Sequence, residues 1–150
     1  MSRAACRRLA VLCFVVSGVL LVVVAAEVFE NRLKLGTVVQ VSGKVTVDEE
    51  PLEEGTITFI PDPSKGNTSV FFATGVVENG AYQVLTEGKN GVPPGWYKVI
   101  VYDTSLARLP SPGRPPSRFH PRFSDPDHTP LCIQVEESRA KSYDFALTER

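Results

Sequence analysis

The chain has 150 residues, one domain's worth, and 43% of them are hydrophobic, which leaves enough for a core after an N-terminal apolar run takes its share. Its formal charge is −1. Because Arg3, Arg7 and Arg8 precede the apolar run, the part from Glu27 onward carries 13 basic against 17 acidic residues, a net of −4. The basic residues there are scattered, with only a loose Arg108, Arg114, Arg118, Arg122 series in one loop, so nothing points to a nucleic-acid partner. Cysteine placement excludes an internal disulfide, since Cys6 and Cys13 lie in or before the apolar run and leave Cys132 alone. With no His or Lys beside it in sequence to favour the thiolate, Cys132 reads as an ordinary small residue.

The run begins at Leu9, ends at Ala26 and holds eighteen residues without a charge, flanked by three arginines and by Glu27. That is the pattern of a membrane-targeting helix with its N-terminus in the cytoplasm, and it predicts an exported chain. Val24-Ala25-Ala26 offers the small residues a signal peptidase needs, yet the run is long for a cleaved signal. Residues 1–26 therefore read as a signal peptide or as a signal-anchor helix, and the protein as secreted after cleavage near Ala26 or held in the membrane with its domain outside the cytoplasm. A lipid anchor on Cys13 fits poorly, because Leu12 precedes it and it stands at the start of the run. Residues 27–36 form a mixed-charge spacer without a motif.

From Thr37 the pattern becomes alternation. Val39, Val41, Gly43, Val45 and Val47 share one phase, which predicts a half-buried antiparallel strand turned at Asp48-Glu49-Glu50-Pro51. Further strands are expected over 56–60, stopped by Pro61-Asp62-Pro63, and over 70–77 and 82–86, joined by the hairpin signal Glu78-Asn79-Gly80. Pro93-Pro94-Gly95 then forces a bend into the strand that organises the rest, residues 96–102. Tyr97, Val99 and Val101 share one face of it; Trp96, Lys98, Ile100 and Tyr102 share the other. Strands over 131–136 and 143–147 complete a set of seven.

Between the fifth and sixth of these the periodicity stops, and seven of the twelve prolines fall between Pro110 and Pro130. A long irregular loop, 104–130, is uncommon in a compact domain and is usually functional or disordered. Leu106, Leu109, Phe119 and Phe123 are available to cover the Trp96, Ile100, Tyr102 stripe, or the stripe stays open to a partner.

Seven short strands with frequent turn residues predict an all-β domain, 37–150: a seven-stranded antiparallel Greek-key β-sandwich preceded by one N-terminal hydrophobic helix. Val41-Ser42-Gly43-Lys44-Val45-Thr46-Val47-Asp48 with Pro51-Leu52, Gly55-Thr56-Ile57-Thr58-Phe59, Asn79-Gly80-Ala81-Tyr82, Pro94-Gly95-Trp96-Tyr97-Lys98-Val99 and Tyr143-Asp144-Phe145 together resemble small bacterial exported domains of the carboxypeptidase-regulatory-like, transthyretin-like superfamily. The resemblance spans roughly residues 38–147 and implies a seven-stranded prealbumin-like sandwich serving as an accessory, stabilising or carbohydrate-facing module. Two departures stand out: Glu49-Glu50 occupies a hairpin where that family commonly has glycine, and the lipoprotein cysteine of its members is missing.

The inventory of chemical motifs is thin. No nucleophile elbow, phosphate-cradling loop or zinc-pair motif occurs, and the chain ends Ala146-Leu147-Thr148-Glu149-Arg150, without the Tyr-Arg-Gly-Ser tail of the ring-opening transthyretin-like hydrolases. His120, Asp125, Asp127 and His128 fall within nine residues and could in principle hold zinc or copper. Ordinary turn chemistry explains them better, as it does Asp62, Ser64 and Asn67. A Ser124, His128, Asp125 triad is arithmetically available without an oxyanion feature. Asn67-Thr68-Ser69 fits a glycosylation triplet by chance. The expectation is thus a noncatalytic module without cofactor or metal, in binding or structural roles at the cell envelope. Its partners would be the membrane through residues 9–26 if uncleaved and an envelope protein or polysaccharide, met on Trp96, Tyr102, Phe119 and Phe123. The alternatives are a carbohydrate-binding accessory domain, needing Trp96 and Tyr102 side by side, and a metal-dependent or hydrolytic enzyme, needing His120 and His128 to converge.

Overall fold

The computed structural model describes residues 35–105, 118–137 and 140–149. The expected N-terminal helix, most of the spacer and the middle of the Pro-rich loop lie outside the described residues. No helix among those described is long and apolar enough to cross a membrane.

The strands are β1 (Val41–Val47), β2 (Glu50–Pro51), β3 (Glu54–Pro61), β4 (Ala73–Glu78), β5 (Ala81–Thr86), β6 (Lys89–Asn90), β7 (Gly95–Asp103), β8 (Cys132–Val135), β9 (Lys141–Ser142) and β10 (Phe145–Leu147). The seven longer ones follow one hydrogen-bonded path, β10-β1-β5-β4-β3-β7-β8, with β2, β6 and β9 as two-residue additions. Pairing is antiparallel except along β1, where both C-terminal strands run parallel to it: Val41 faces Lys141 and Val45 faces Phe145. The last strand was expected to be antiparallel. It takes the edge of β1 opposite the one along which Ser42–Lys44 pair with β5 and Thr46–Val47 with β2.

Gly43 lies on β1 between the residues that pair with β9 and those that pair with β10. A Cβ there would lie 1.9 Å from the Tyr143 carbonyl oxygen, so only glycine lets the C-terminal segment pass this close. The same carbonyl accepts the Tyr82 hydroxyl at 2.7 Å, and the Tyr143 amide donates to the Ser42 carbonyl at 2.9 Å.

Turn chemistry matches the sequence at the second hairpin, where Asn79 (φ 50°) and Gly80 (φ 80°) take the left-handed conformation Asn-Gly favours. The first hairpin achieves the same twist without glycine: Asp48 (φ 47°) and Glu49 (φ 72°) both occupy the left-handed region.

The sheet is curled. Phe145 on β10 and Phe59 on β3 are separated by three intervening strands, which in a flat sheet would hold them about 19 Å apart. Their ring centroids are 6.2 Å apart. Val45, Tyr82, Val84, Val99, Val101 and Leu147 join them in one buried cluster on the concave side. At about 25 cal/mol per Å² of apolar surface removed from water, each such side chain contributes roughly 1.5–3 kcal/mol.

β8 pairs with β7 only over Gly95–Lys98, leaving the rest of that β7 edge without a strand. Residues 118–131 fill the gap. The Thr129 hydroxyl donates to the Val99 carbonyl at 2.7 Å, the Ser124 hydroxyl to the Val101 carbonyl at 2.6 Å, and the Val99 amide donates to the Leu131 carbonyl at 2.9 Å. Side-chain hydroxyls thus satisfy carbonyls that would otherwise be an open edge.

Candidate functional site

The organising strand behaves as its alternation requires. Tyr97, Val99 and Val101 are buried in the core, while Trp96, Lys98 and Tyr102 are half-buried on the convex face. Ile100 shares the convex phase and is 5% exposed, yet it stands outside the core cluster.

Of the four expected contact residues, the structure keeps two at the surface. Phe119 and Phe123 are 0% and 3% exposed and belong to the core cluster, packed edge to face with centroids 6.3 Å apart. They seal the end of the core beside β7 and offer nothing to a partner, a correction to their placement on the contact surface and over the Trp96 stripe. The physical reason is the short β8: the gap it leaves draws two phenylalanines inward. Trp96 and Tyr102 lie six residues apart on one strand, about 20 Å at the rise of a β-strand. They do not form the two-ring platform a stacked saccharide would need.

The best-built constellation on the convex face surrounds Trp96. The Lys65 ammonium stands 4.3 Å from the centre of its ring and donates to Cys132 Sγ at 3.0 Å. Lys65 is brought there by a 3-10 turn, Pro63–Lys65, capped by Asp62, whose carboxylate accepts the Ser64 amide at 3.1 Å and the Ser64 hydroxyl at 2.6 Å. The Ser64 hydroxyl bond holds the nearly buried Asp62 carboxyl below its ordinary value against the opposing effect of burial, with Lys98 and Lys65 adding to the lowering. The buried Asn67 amide donates to the Trp96 carbonyl at 2.8 Å while its oxygen accepts the Ser69 amide at 3.1 Å. That amide is committed to the fold, as expected of a turn residue and not of a glycosylation acceptor. Gly95, with φ at 148°, makes room: a Cβ there would lie 2.7 Å from Asn67 Nδ2. Sequence reading singled out Trp96 and Gly95 but missed Lys65, whose contact with Cys132 spans 67 positions and leaves no local signal.

The histidine segment resolves into two separate turns. His120 caps a second 3-10 turn, Pro121–Ser124, with Nδ1 accepting the Arg122 amide at 3.1 Å. The exposed His128 Nδ1 lies 2.6 Å from Asp125 Oδ2. This bond, with the Asp125 and Asp127 charges, raises the His128 pKa above 6.5; the same bond lowers that of Asp125. Ser124 faces the Val101 carbonyl, so the arithmetical triad is not assembled. Among the described residues no three His, Cys, Asp or Glu side chains are grouped to hold a metal ion.

Within the Pro-rich region Arg118 is tied back to the end of β7, its Nε donating to the buried Asp103 carboxylate at 3.0 Å. At the far end of the sheet an open depression of about 480 Å³ is lined by Glu53, Glu54 and Glu78 with Val76, Asn79 and Thr104. Glu54 and Glu78 face each other across the β3–β4 pair, an arrangement that leaves this end strongly acidic.

No protein-family model, curated protein or solved structure matches this chain.

Proposed function

We propose that this protein is a noncatalytic module of the cell envelope, exported by residues 1–26 and presenting the convex face of its β-sheet as a binding or structural surface. In this reading residues 9–26 form a hydrophobic helix, and the domain is a prealbumin-like Greek-key sandwich of the carboxypeptidase-regulatory-like, transthyretin-like kind. The contact of Phe59 with Phe145 across the curl supports the two-layered description, since it brings opposite halves of the path face to face.

The observation that carries the noncatalytic reading is the use made of residues 118–131. His120 caps a turn, Ser124 and Thr129 satisfy strand carbonyls, and Asp125 holds His128 at the surface. The chain's most chemistry-bearing stretch thus serves as edge cover for β7. What remains for recognition is the convex face, with Trp96 and Tyr102 on β7.

The test is capture from crosslinked bacterial envelope and from a panel of envelope polysaccharides, using the full chain and its Trp96→Ala variant. Retention of one component by the wild type and its loss in the variant supports a recognition surface at Trp96. Equal retention by both removes Trp96 from the surface, and turnover of any envelope ester or glycoside by the purified chain ends the noncatalytic reading.

A further inference from the structure

The large hydrophobic residues exposed among those described are Val70 (52%), Phe72 (57%), Val76 (62%) and Leu85 (42%). They are neither scattered nor random in phase. Val70, Phe72 and Val76 share the outward alternation of β4 and the segment leading into it, and Thr74 pairs with Leu85, so Leu85 stands diagonally beside both Phe72 and Val76. Phe72 and Leu85, with Val70 two residues earlier on the same alternation, give this end of the convex face an exposed apolar patch, of the kind that marks a protein or membrane contact, while Val76 lies beyond Thr74 toward the acidic depression.

The register shows which end of the sheet this is. Ser42 pairs with Gln83, so counting back along β1 brings Gln40 level with Leu85. Val39 bridges Val92, and the Gly91 carbonyl accepts the Thr86 hydroxyl at 2.6 Å. The chain therefore joins the sheet at the end where Phe72 and Leu85 are exposed. Only residues 27–34 separate Leu35 from the apolar run, a reach of at most about 28 Å.

Charge is segregated along the same axis. Asp48, Glu49, Glu50, Glu53, Glu54 and Glu78 gather at the opposite end, where the turns after β1, β2 and β4 meet. At the apolar end Lys65, Lys89, Lys98 and Lys141 accompany Asp62, Glu87, Glu136 and Glu137, leaving the described residues there near neutral. An anionic headgroup surface repels the first end and accepts the second.

From these observations we infer that the patch Val70, Phe72 and Leu85 docks on the lipid bilayer that holds residues 9–26, seating the domain with its acidic end directed away from the membrane. The inference rests on the export and tether reading. Three side chains seated at the headgroup boundary bind weakly by themselves, and the tether raises their effective concentration until docking becomes an intramolecular step. Because apolar burial drives it, docking persists at raised salt, which screens only the repulsion of the acidic end.

The experiment reconstitutes the full chain in phosphatidylcholine–phosphatidylglycerol vesicles whose acyl chains carry bromine, a contact quencher of tryptophan. In a Trp96→Phe background, Phe72→Trp places the reporter in the patch and Glu53→Trp places it at the acidic end. The account expects Phe72→Trp to lose about half or more of its emission and to shift blue, with Glu53→Trp little changed. Hydroxyl-radical footprinting of the wild-type chain in the same vesicles provides a variant-free reading, with Phe72 and Leu85 protected relative to Glu53. Equal quenching of both reporters on a chain that sediments with the vesicles overturns docking and leaves the tether intact. A blue shift that grows with the protein-to-lipid ratio without bromine quenching overturns it in favour of a second copy on the patch. A chain that stays in the supernatant overturns the tether reading, and the docking inference with it.

Discussion

The first hairpin holds a glutamate where the backbone asks for glycine. Glu49 is exposed and has φ at 72°, a conformation that costs a side-chain-bearing residue about 1–2 kcal/mol. Glu49→Gly removes that strain, while the freer glycine chain in the unfolded state takes back about 0.5–1 kcal/mol. It also withdraws one charge from a crowded acidic end. The net expectation is a gain of about 0.5–1 kcal/mol, even though the substitution deletes a side chain and adds flexibility. Glu49→Ala separates the two contributions, because it removes the charge and keeps the strain. Urea unfolding of the detergent-solubilised full chain, followed by the emission of its single tryptophan, Trp96, reads both. With a slope of about 1–2 kcal/mol per molar, Glu49→Gly moves the midpoint up by roughly 0.5 M. A midpoint that falls, or an equal rise in both variants, refutes the strain argument.

Three further outcomes follow from the geometry. Gly43→Ala drives a methyl into the Tyr143 carbonyl and disrupts the Tyr82 and Ser42 hydrogen bonds beside it; at about 1 kcal/mol per bond plus 1–3 for overpacking, it destabilises by roughly 3–5 kcal/mol in the same urea assay. Phe123→Ala, cutting a buried ring from the segment that covers β7, costs about 3–5 kcal/mol, whereas Thr129→Val, which gives up one hydroxyl-to-carbonyl bond, costs about 1 kcal/mol. His128 titrates above 6.5 in a proton NMR series, and Asp125→Asn lowers it; the pair is fully formed below His128's ordinary value and is lost as pH rises through the raised one, with little effect on global stability because both groups face water.

What the sequence made legible was what is local. Strand alternation along Val41–Val47 and Gly95–Asp103, the Asn79-Gly80 hairpin and the capping use of Asp62 and Asn67 are set by neighbours within a few residues. Long-range exchange of partners was not legible. Nothing near Phe145 says that its strand will lie parallel to β1, because that pairing joins Val45 to Phe145, a hundred positions away. Phe119 and Phe123 were read as a surface because the prolines around them hid any periodicity, and their burial depends on β8 being only four residues long. The exposed Phe72 was lost for the opposite reason. Its expected strand over 70–77 was read as ordinary alternation, and only the register with β5 shows Leu85 standing diagonally beside it on the face away from the core.

The central claim is that the domain lives outside the cytoplasm at the envelope, and protease shaving of spheroplasts tests it most directly. The full chain, carrying a C-terminal tag, is expressed in a bacterial host, and the tag is followed in intact spheroplasts, lysed spheroplasts and the membrane and soluble fractions. The account expects the tag to be digested without lysis and the chain to be recovered with the membrane, or released at a mass lacking about the first 26 residues. A full-length chain in the cytosolic fraction, its tag protected until lysis, contradicts it.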